Sequence, residues 1–570
     1  MPIAMNLSKN PDQKKFATTN LDWQRNLVLI AKNTPVWLAQ LTKEYRRKIA
    51  ALDQIPDEEL EKLRSLGING LWLVGVWQRS PASKKIKHLY GYDQLIASAY
   101  SIQDYKISKE LGGESAFNRL KARALKKGIY LACDMVPNHT AIDSPWLIKY
   151  PDLYINTVIN PSSTWKFESP DLSSDPAVSI RLEDGYYNQT DTAEVFQYKS
   201  KHKDQPIYIF HGNDGTSMPW NDTAQLNYLN PETRKAMKAR IIKVAKKFKV
   251  VRMDAAMTIL KQHFKRLWYP DAGAHKNIPT RIANVLTEAE FNTLMPDEFW
   301  SEVMVDLSRE APDTLILAEA FWMMEKYFVQ SLGMHRVYNS AFLNHLRNGE
   351  NTKLRSYFIE ILGSDRKMLD SFVNYLTTPD ESPSAITFGK GKRYFGVCGL
   401  MAALPGLPLI GHGQFEGYSE QYGMDFARPL QSEKPDTQFL ADHKRLITPL
   451  LDQRSRFSNS KNLKMYDFVD TTSKLDENVF IFFNRVNSHK SLIIFNNQDK
   501  KVSGRIKRSV RIFRSKSSDL SQALGTKKQI QIILKEIRLG NELNISSEIL
   551  RSKGLELDLK PYDFFVFDVS

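Results

Sequence analysis

Acidic side chains stand at the ends of four apolar stretches: Asp134 in Asp134-Met135-Val136-Pro137-Asn138-His139, Asp254 in Val251-Arg252-Met253-Asp254, Glu319 in Leu317-Ala318-Glu319-Ala320, and Asp380 in Thr377-Thr378-Pro379-Asp380. Arg252 and Asp254 are two residues apart, so on a strand both side chains leave the same face. A guanidinium beside Asp254 would lower its pKa and hold it ionised, the form that attacks an anomeric carbon. Glu319 would face that negative charge at the end of an apolar strand. Both effects raise its pKa and suit a proton donor. A carboxylate nucleophile opposite a carboxylic acid is the equipment of a retaining glycosidase, with the two groups about 5–5.5 Å apart. Each residue taken singly has a plainer reading: a strand-end acid is usually a cap or surface charge, Arg252 could pair with any acid, and His139 could be a satisfied loop histidine. Their co-occurrence in order, each after its own strand, favours chemistry.

Such convergence requires elements that bring strand ends together. From about Thr34 onward, short apolar strands alternate with amphipathic helices. Expected strands are Val36-Trp37-Leu38, Gly70 to Val74, Ile129 to Cys133, one starting at Val250-Val251, Leu315 to Ala318, a weaker one near Val337, Phe372-Val373, and Leu407 to Ile410. Asn230 before Pro231 is a helix start, and Met237, Ile241, Val244 and Phe248 make one buried stripe. Near-continuous apolar strands alternating with helices imply a parallel sheet covered by helices, and at this length a closed (β/α)8 TIM barrel. Active sites of such barrels lie where the strands finish. The stretch from about 140 to 229 is too long for a connection and reads as a subdomain inserted after strand 3. Its Trp146, Tyr187, Tyr208, Trp220 and Asn221 could meet sugar rings, although core packing is the favoured reading for most of them. The expected domains are an N-terminal extension over 1–33, a catalytic barrel over 34–453 and a C-terminal all-β sandwich over 454–570.

Composition narrows the class. Of 570 residues, 42% are hydrophobic and 25% charged, which suits a folded globular chain. The net charge of +15 raises nucleic acid or an acidic membrane as partners. The densest basic cluster, Lys500 to Lys516, alternates with Ile506, Val510 and Ile512 like the wet face of a strand, and no recognition motif accompanies it. Neither nucleic acid nor membrane is expected as a partner. The only cysteines, Cys133 and Cys398, sit in apolar stretches and provide no disulfide framework. With a polar N-terminus lacking a signal-peptide layout, a cytoplasmic protein is expected. The run from Gly396 to Ile410 is too short for a comfortable bilayer span and reads as barrel interior.

Together the four motifs resemble those of the α-amylase family, glycoside hydrolase family 13, over roughly Thr34 to Gln453. The stretches Gln225-Leu226-Asn227-Tyr228 and Gly406-Leu407-Pro408 to Gln414 are similar to family segments as well. The resemblance implies Asp254 as nucleophile, Glu319 as general acid/base and Asp380 as the carboxylate that stabilises the transition state. It further implies Arg252 as the nucleophile's partner and His139 as a ligand to the sugar at the cleavage site. Asp134 and Asn138 would support that loop, and Asn138 is the position at which the family sometimes binds calcium. No cofactor is required, and a structural calcium is possible. Trp322 is a candidate for lining a sugar subsite. The implied partner is an α-glucan or maltooligosaccharide, and the oligomeric state is not legible.

Two departures bear on substrate. Many family members carry a Lys-His pair beyond the nucleophile where this chain has Met257 and Thr258, and a histidine before the third acid where it has Pro379. The Thr-Thr-Pro-Asp form is similar to the branch that transfers maltosyl units from maltose 1-phosphate. The readings are therefore an α-retaining hydrolase or transglycosidase, a maltosyl- or glucanotransferase using a glucan or phosphate acceptor, and a catalytically silent sugar binder.

Overall fold

The computed structural model describes residues 22–570 except 216–217, 272–283, 322, 513–516 and 526–530. Eight parallel strands close a barrel: β1 (Leu29–Asn33), β2 (Gly70–Val74), β3 (Tyr130–Met135), β4 (Val250–Met253), β5 (Leu315–Ala318), β6 (Arg336–Tyr338), β7 (Phe372–Tyr375) and β8 (Leu407–Ile410). They neighbour one another in chain order, and β8 pairs with β1 through Leu29 opposite Leu409. Strands sandwiched between the barrel interior and a helical shell are apolar on both faces, which is why these runs lack alternation.

The first strand differs from expectation. Val36, Trp37 and Leu38 lie in the helix Thr34–Glu44, and the strand is the preceding Leu29–Asn33, so the barrel starts before residue 34. Asn33 ends β1 and caps the helix by accepting from the Val36 N–H, and Pro35 occupies the first turn. The expected helix over Pro231–Lys247 is present, capped by Asn230, with Met237, Ile241 and Val244 buried. The apolar run from Gly396 does not lie wholly in the barrel interior. It forms the end of the helix Lys392–Ala403 and then β8. That helix is apolar all round because it lies between barrel and tail domain: a Cβ on Gly396 would fall 2.2 Å from the Phe495 ring, and one on Gly399 2.3 Å from that of Phe564.

After β3 the chain leaves the barrel. His139–Ala141 pairs antiparallel with Thr223–Gln225, zipping the insert closed at its base. Beyond the ribbon stands a four-stranded sheet of Asn156–Thr157, Ile207–Phe210, Val195–Ser200 and Val178–Leu182. The C-terminal domain is one continuous eight-stranded antiparallel sheet rather than two separate ones. One face, with Phe482, Ile493 and Phe495, joins the barrel core, and the other encloses a second core around Tyr466, Phe468, Ile481 and Leu534. The strand Val502–Ser509 carries Arg505, Lys507 and Arg508 of the basic cluster, with Ile506 buried and Arg505 exposed. Among the described residues, no helix is long and apolar enough to cross a membrane.

Candidate active site

The ends of β3, β4 and β5 converge on one guanidinium. Arg252 sits opposite Asp134 in the β3–β4 register and opposite Leu317 in the β4–β5 register. Its Nη1 donates to Asp134 Oδ1 at 2.9 Å and to Asp254 Oδ1 at 2.6 Å. Its Nη2 donates to Glu319 Oε1 at 2.7 Å and lies 4.0 Å from Asp380 Oδ2. Tyr338 and Tyr100 hydroxyls accept from Nε and Nη1, both at 3.1 Å. Asp254 and Glu319 thus hang side by side from the two terminal nitrogens of a single planar group, whose fork geometry fixes both.

The backbone completes the placement. The ladder runs past the strand ends, with the Asp254 N–H donating to Met135 O and the Glu319 N–H to Met253 O. Ala255 then turns into the left-handed region at φ 45, which directs its N–H onto Glu319 Oε2 at 2.9 Å. A non-glycine residue held there costs of order 1 kcal/mol, and such strain gathers at functional sites. Asp134 is locked from the other side by Trp72 Nε1 at 3.0 Å, and Trp77 Nε1 donates to its carbonyl. Trp72→Phe is expected to cost about 1.5–3 kcal/mol in urea denaturation, because a buried carboxylate oxygen loses its donor. An unchanged midpoint would remove this brace from the account.

Four acids around one cation cannot all titrate normally. Burial pushes Asp254 well above its ordinary value, and Glu319, Asp134 and Asp380 push the same way against the pull of Arg252. The expectation that Arg252 would dominate and lower this pKa is therefore corrected: the guanidinium divides its bonds among three carboxylates, and desolvation wins. Asp134 is raised by burial against Arg252 and Trp72. Asp380 is raised to about 6, by desolvation first and then by Glu319 and Asp134 against Arg252. Asp254, Asp134 and Asp380 are thus each raised against the pull of the one cation they share.

Above the cluster opens a pocket of about 420 Å3, lined by Asp254, Glu319, Asp380, His139, Tyr100, Trp220, Met257, Phe321, Tyr338 and Tyr375 among others. His139 is buried, its ring 5.1 Å from that of Trp220. Burial lowers its pKa to about 4, so it is neutral, and its Nε2 has no hydrogen-bond partner. Asn138 is a strut: its Oδ1 accepts from Gln225 Nε2 at 3.0 Å and its Nδ2 faces His139 Nδ1 at 3.3 Å. Its side-chain oxygen already accepts one bond, and no cluster of three His, Cys, Asp or Glu suited to a metal occurs among the described residues.

Of the five aromatic and amide candidates in the insert, only Trp220 lines the pocket. Trp146 stacks on Arg240 at 4.0 Å, Tyr208 packs on Phe167, Tyr187 on Tyr90, and Asn221 donates to the carbonyls of Thr192 and Ala193. Trp322 lies outside the described residues; its neighbour Phe321 lines the pocket, parallel to Tyr338. Met257 presents an apolar surface, whereas the Thr258 hydroxyl donates to Ala255 O and is fully buried. Sequence reasoning missed Tyr100, Tyr338 and Tyr375. Tyr338 and Tyr375 carried a signal, since each is the last residue of a barrel strand. Tyr100 belongs to the long loop after β2 and carried none.

Residues 52–369 match the family model for the alpha-amylase catalytic domain. Maltase A1 of Drosophila melanogaster is 26% identical over 319 residues, covering 51% of this chain and 48% of that protein. The alpha-amylase SusG of Bacteroides thetaiotaomicron is 36% identical over 90 residues, 16% of this chain and 11% of its own length. The chain thus spans about half of the fly maltase and less of SusG. Among solved structures, the maltogenic alpha-amylase AmyB of Thermotoga neapolitana superposes with a TM-score of 0.59 at 14% identity, covering 95% of this chain and 98% of its own. An alpha-amylase from Lactobacillus plantarum gives 0.60 at 12% identity, with 95% and 99% covered.

Proposed function

The chain belongs to the alpha-amylase family, and from that premise we propose that it is an α-retaining glycosidase acting on α-linked glucose oligosaccharides through a covalent glycosyl-enzyme. The observation that carries this reading is the Arg252 fork holding Asp254 and Glu319 together on the pocket floor. An Asp254 oxygen attacks the anomeric carbon while the glycosidic bond breaks and Glu319 delivers its proton to the leaving oxygen. Glu319 then takes a proton from water, whose oxygen attacks the same carbon and releases Asp254. Asp380, at the rim within 4.0 Å of Arg252, is placed to hold sugar hydroxyls more tightly as positive charge develops at the ring. Neutral His139, with an unpartnered Nε2 at the pocket wall, is suited to a sugar hydroxyl.

The lining also bears on the acceptor. It contains six carboxylate residues (Asp214, Asp222, Asp254, Glu319, Asp380 and Glu381) and, among the described residues, neither lysine nor arginine. Such a field disfavours phosphate and sugar phosphates and favours water or a neutral sugar. The persistence of every acid together with Arg252 speaks against a silent binder. Two reduced, buried cysteines are in keeping with a cytoplasmic setting. Proton NMR of maltooligosaccharides with the protein, with and without phosphate, tests this reading. The expected first product is the α-anomer in both conditions. A β-anomer, or glucosyl phosphate formation, would overturn it.

A further inference from the structure

The sector of the barrel mouth above β8 and β1 is filled, and the pocket lies against the filling. The loop that follows β8 is tied down on both sides. Towards β7, Gln421 Nε2 donates to Pro379 O at 3.1 Å, beside Asp380. Towards β2, the Ile96 and Ala99 N–H groups donate to Asp425 O and Met424 O, Leu95 bridges to Phe426, and Lys87 pairs with Asp425 at 2.8 Å. Arg79 fastens this seam from beneath, with Nη1 donating to both Ala97 O and Met424 O. At its root, Asn33 Nδ2 donates to Gly423 O and the His412 and Tyr422 rings pack at 4.5 Å. The result is a wall from the loop of Asp380, reached by the Gln421 side chain, through residues 421–426 to Ser98 and Tyr100, which line the pocket. The recess between Asn33, Pro379, Gln421 and Tyr422 is only about 30 Å3, room for a water but not for a sugar ring.

Among the described residues this wall stands on the Asp380 side of the reacting centre. Asp380 is on the wall side, whereas Met257 and Trp220 line the pocket beside the inserted subdomain. With the roles proposed above, the ring being transferred rests against Asp380 and the leaving portion extends past Glu319 towards Met257. We propose that the site is a blind pocket that admits one terminal glucose unit, so the protein removes glucose singly from the non-reducing end of α-glucan chains and does not cut within them. This inference rests on the glycosidase reading and adds the mode of attack. A volume of about 420 Å3, near the lower end of the usual range of about 300–1,000 Å3, agrees with a short occupant.

The test compares p-nitrophenyl α-maltoheptaoside with the same substrate carrying an ethylidene block on its non-reducing end, with products resolved by chromatography. Glucose and the hexaoside are expected as the only early products of the free substrate, and the blocked one is expected to be cut at least about 100-fold more slowly. Comparable rates on both, or early maltose and maltotriose, would overturn the blind pocket while leaving the glycosidase reading intact. Failure to form any shorter sugar from maltose, maltoheptaose and p-nitrophenyl α-glucoside alike would overturn the glycosidase reading, and this inference with it.

Discussion

Asp254→Ala is expected to reduce turnover by at least about four orders of magnitude, the scale on which loss of a nucleophile is felt, while the protein stays folded. The two halves of this expectation come from different physics. In the proposed mechanism Asp254 supplies the atom that bonds to the anomeric carbon, and among the described residues no other acid is placed to take over: Asp134 is buried and held by Trp72 and Arg252, and Asp380 sits at the rim, with 57% of its side chain exposed. Stability should move the other way. Asp254 is a buried acid among three others, and its charged form is opposed by burial and by those neighbours. Removing it leaves Arg252 bonded to Asp134 and Glu319, so Tm should be unchanged or higher, as when a strained active site is relieved. Azide fills the space vacated by the carboxylate and can attack the anomeric carbon from the same face, while Glu319 still protonates the leaving oxygen. The product is then the β-glucosyl azide, of inverted configuration. Residual activity within about 100-fold of the native protein, or an azide adduct of retained configuration, would remove Asp254 from the nucleophile's role.

What was legible in the sequence divides along physical lines. Strand-end acids can be read because barrel geometry converts a one-dimensional position, the last residue of an apolar run, into a three-dimensional one. Asp134, Arg252, Asp254 and Glu319 all meet for that reason. The first strand was misplaced because two apolar runs, Leu27 to Ala31 and Val36 to Leu38, are separated by only four residues and neither has a distinctive period. The deciding signal was Asn33 followed by Pro35, a cap and a first-turn proline that assign the second run to a helix. Tyr100 could not be read, since it reaches Arg252 across 152 residues of chain through a loop with no periodicity. The seam between the loops after β2 and β8 has the same character. Its backbone bonds leave no trace in residue type, and the Arg79 and Lys87 side chains that fasten it belong to no pattern in the sequence. The direction of the Asp254 shift was misread because a pairwise argument with Arg252 omitted the competing acids and the burial they share.

That sharing predicts the second large effect. Arg252→Met is expected to abolish activity and to destabilise the protein by about 3–5 kcal/mol near neutral pH, the cost of leaving buried charge without its partner. Methionine keeps the volume of the stem but withdraws the hydrogen bonds that Asp134, Asp254 and Glu319 receive from the guanidinium. The deficit should depend on pH with a definite sign. Asp254 and Asp134 already stand above their ordinary values and Asp380 stands at about 6 with Arg252 present; without the cation, which lowers all three, each rises further. An acid whose folded pKa exceeds its unfolded value favours the folded state most below the unfolded value, and that advantage is lost as pH rises through the folded one. The unfolded chains lose the same protons in both proteins, so the variant's deficit is smallest in acid and grows from about pH 6 upward, where Asp380 ionises in the native protein but stays protonated in the variant. Urea titrations near pH 5 and near pH 7.5 should therefore give a deficit clearly smaller at the lower pH. Adding Asp134→Asn to Arg252→Met should restore part of the loss near neutral pH by removing one unpaired charge. An equal deficit at both pH values, or no recovery in the double variant, would mean that Arg252 stabilises the barrel by packing alone, since a merely steric role is blind to protonation.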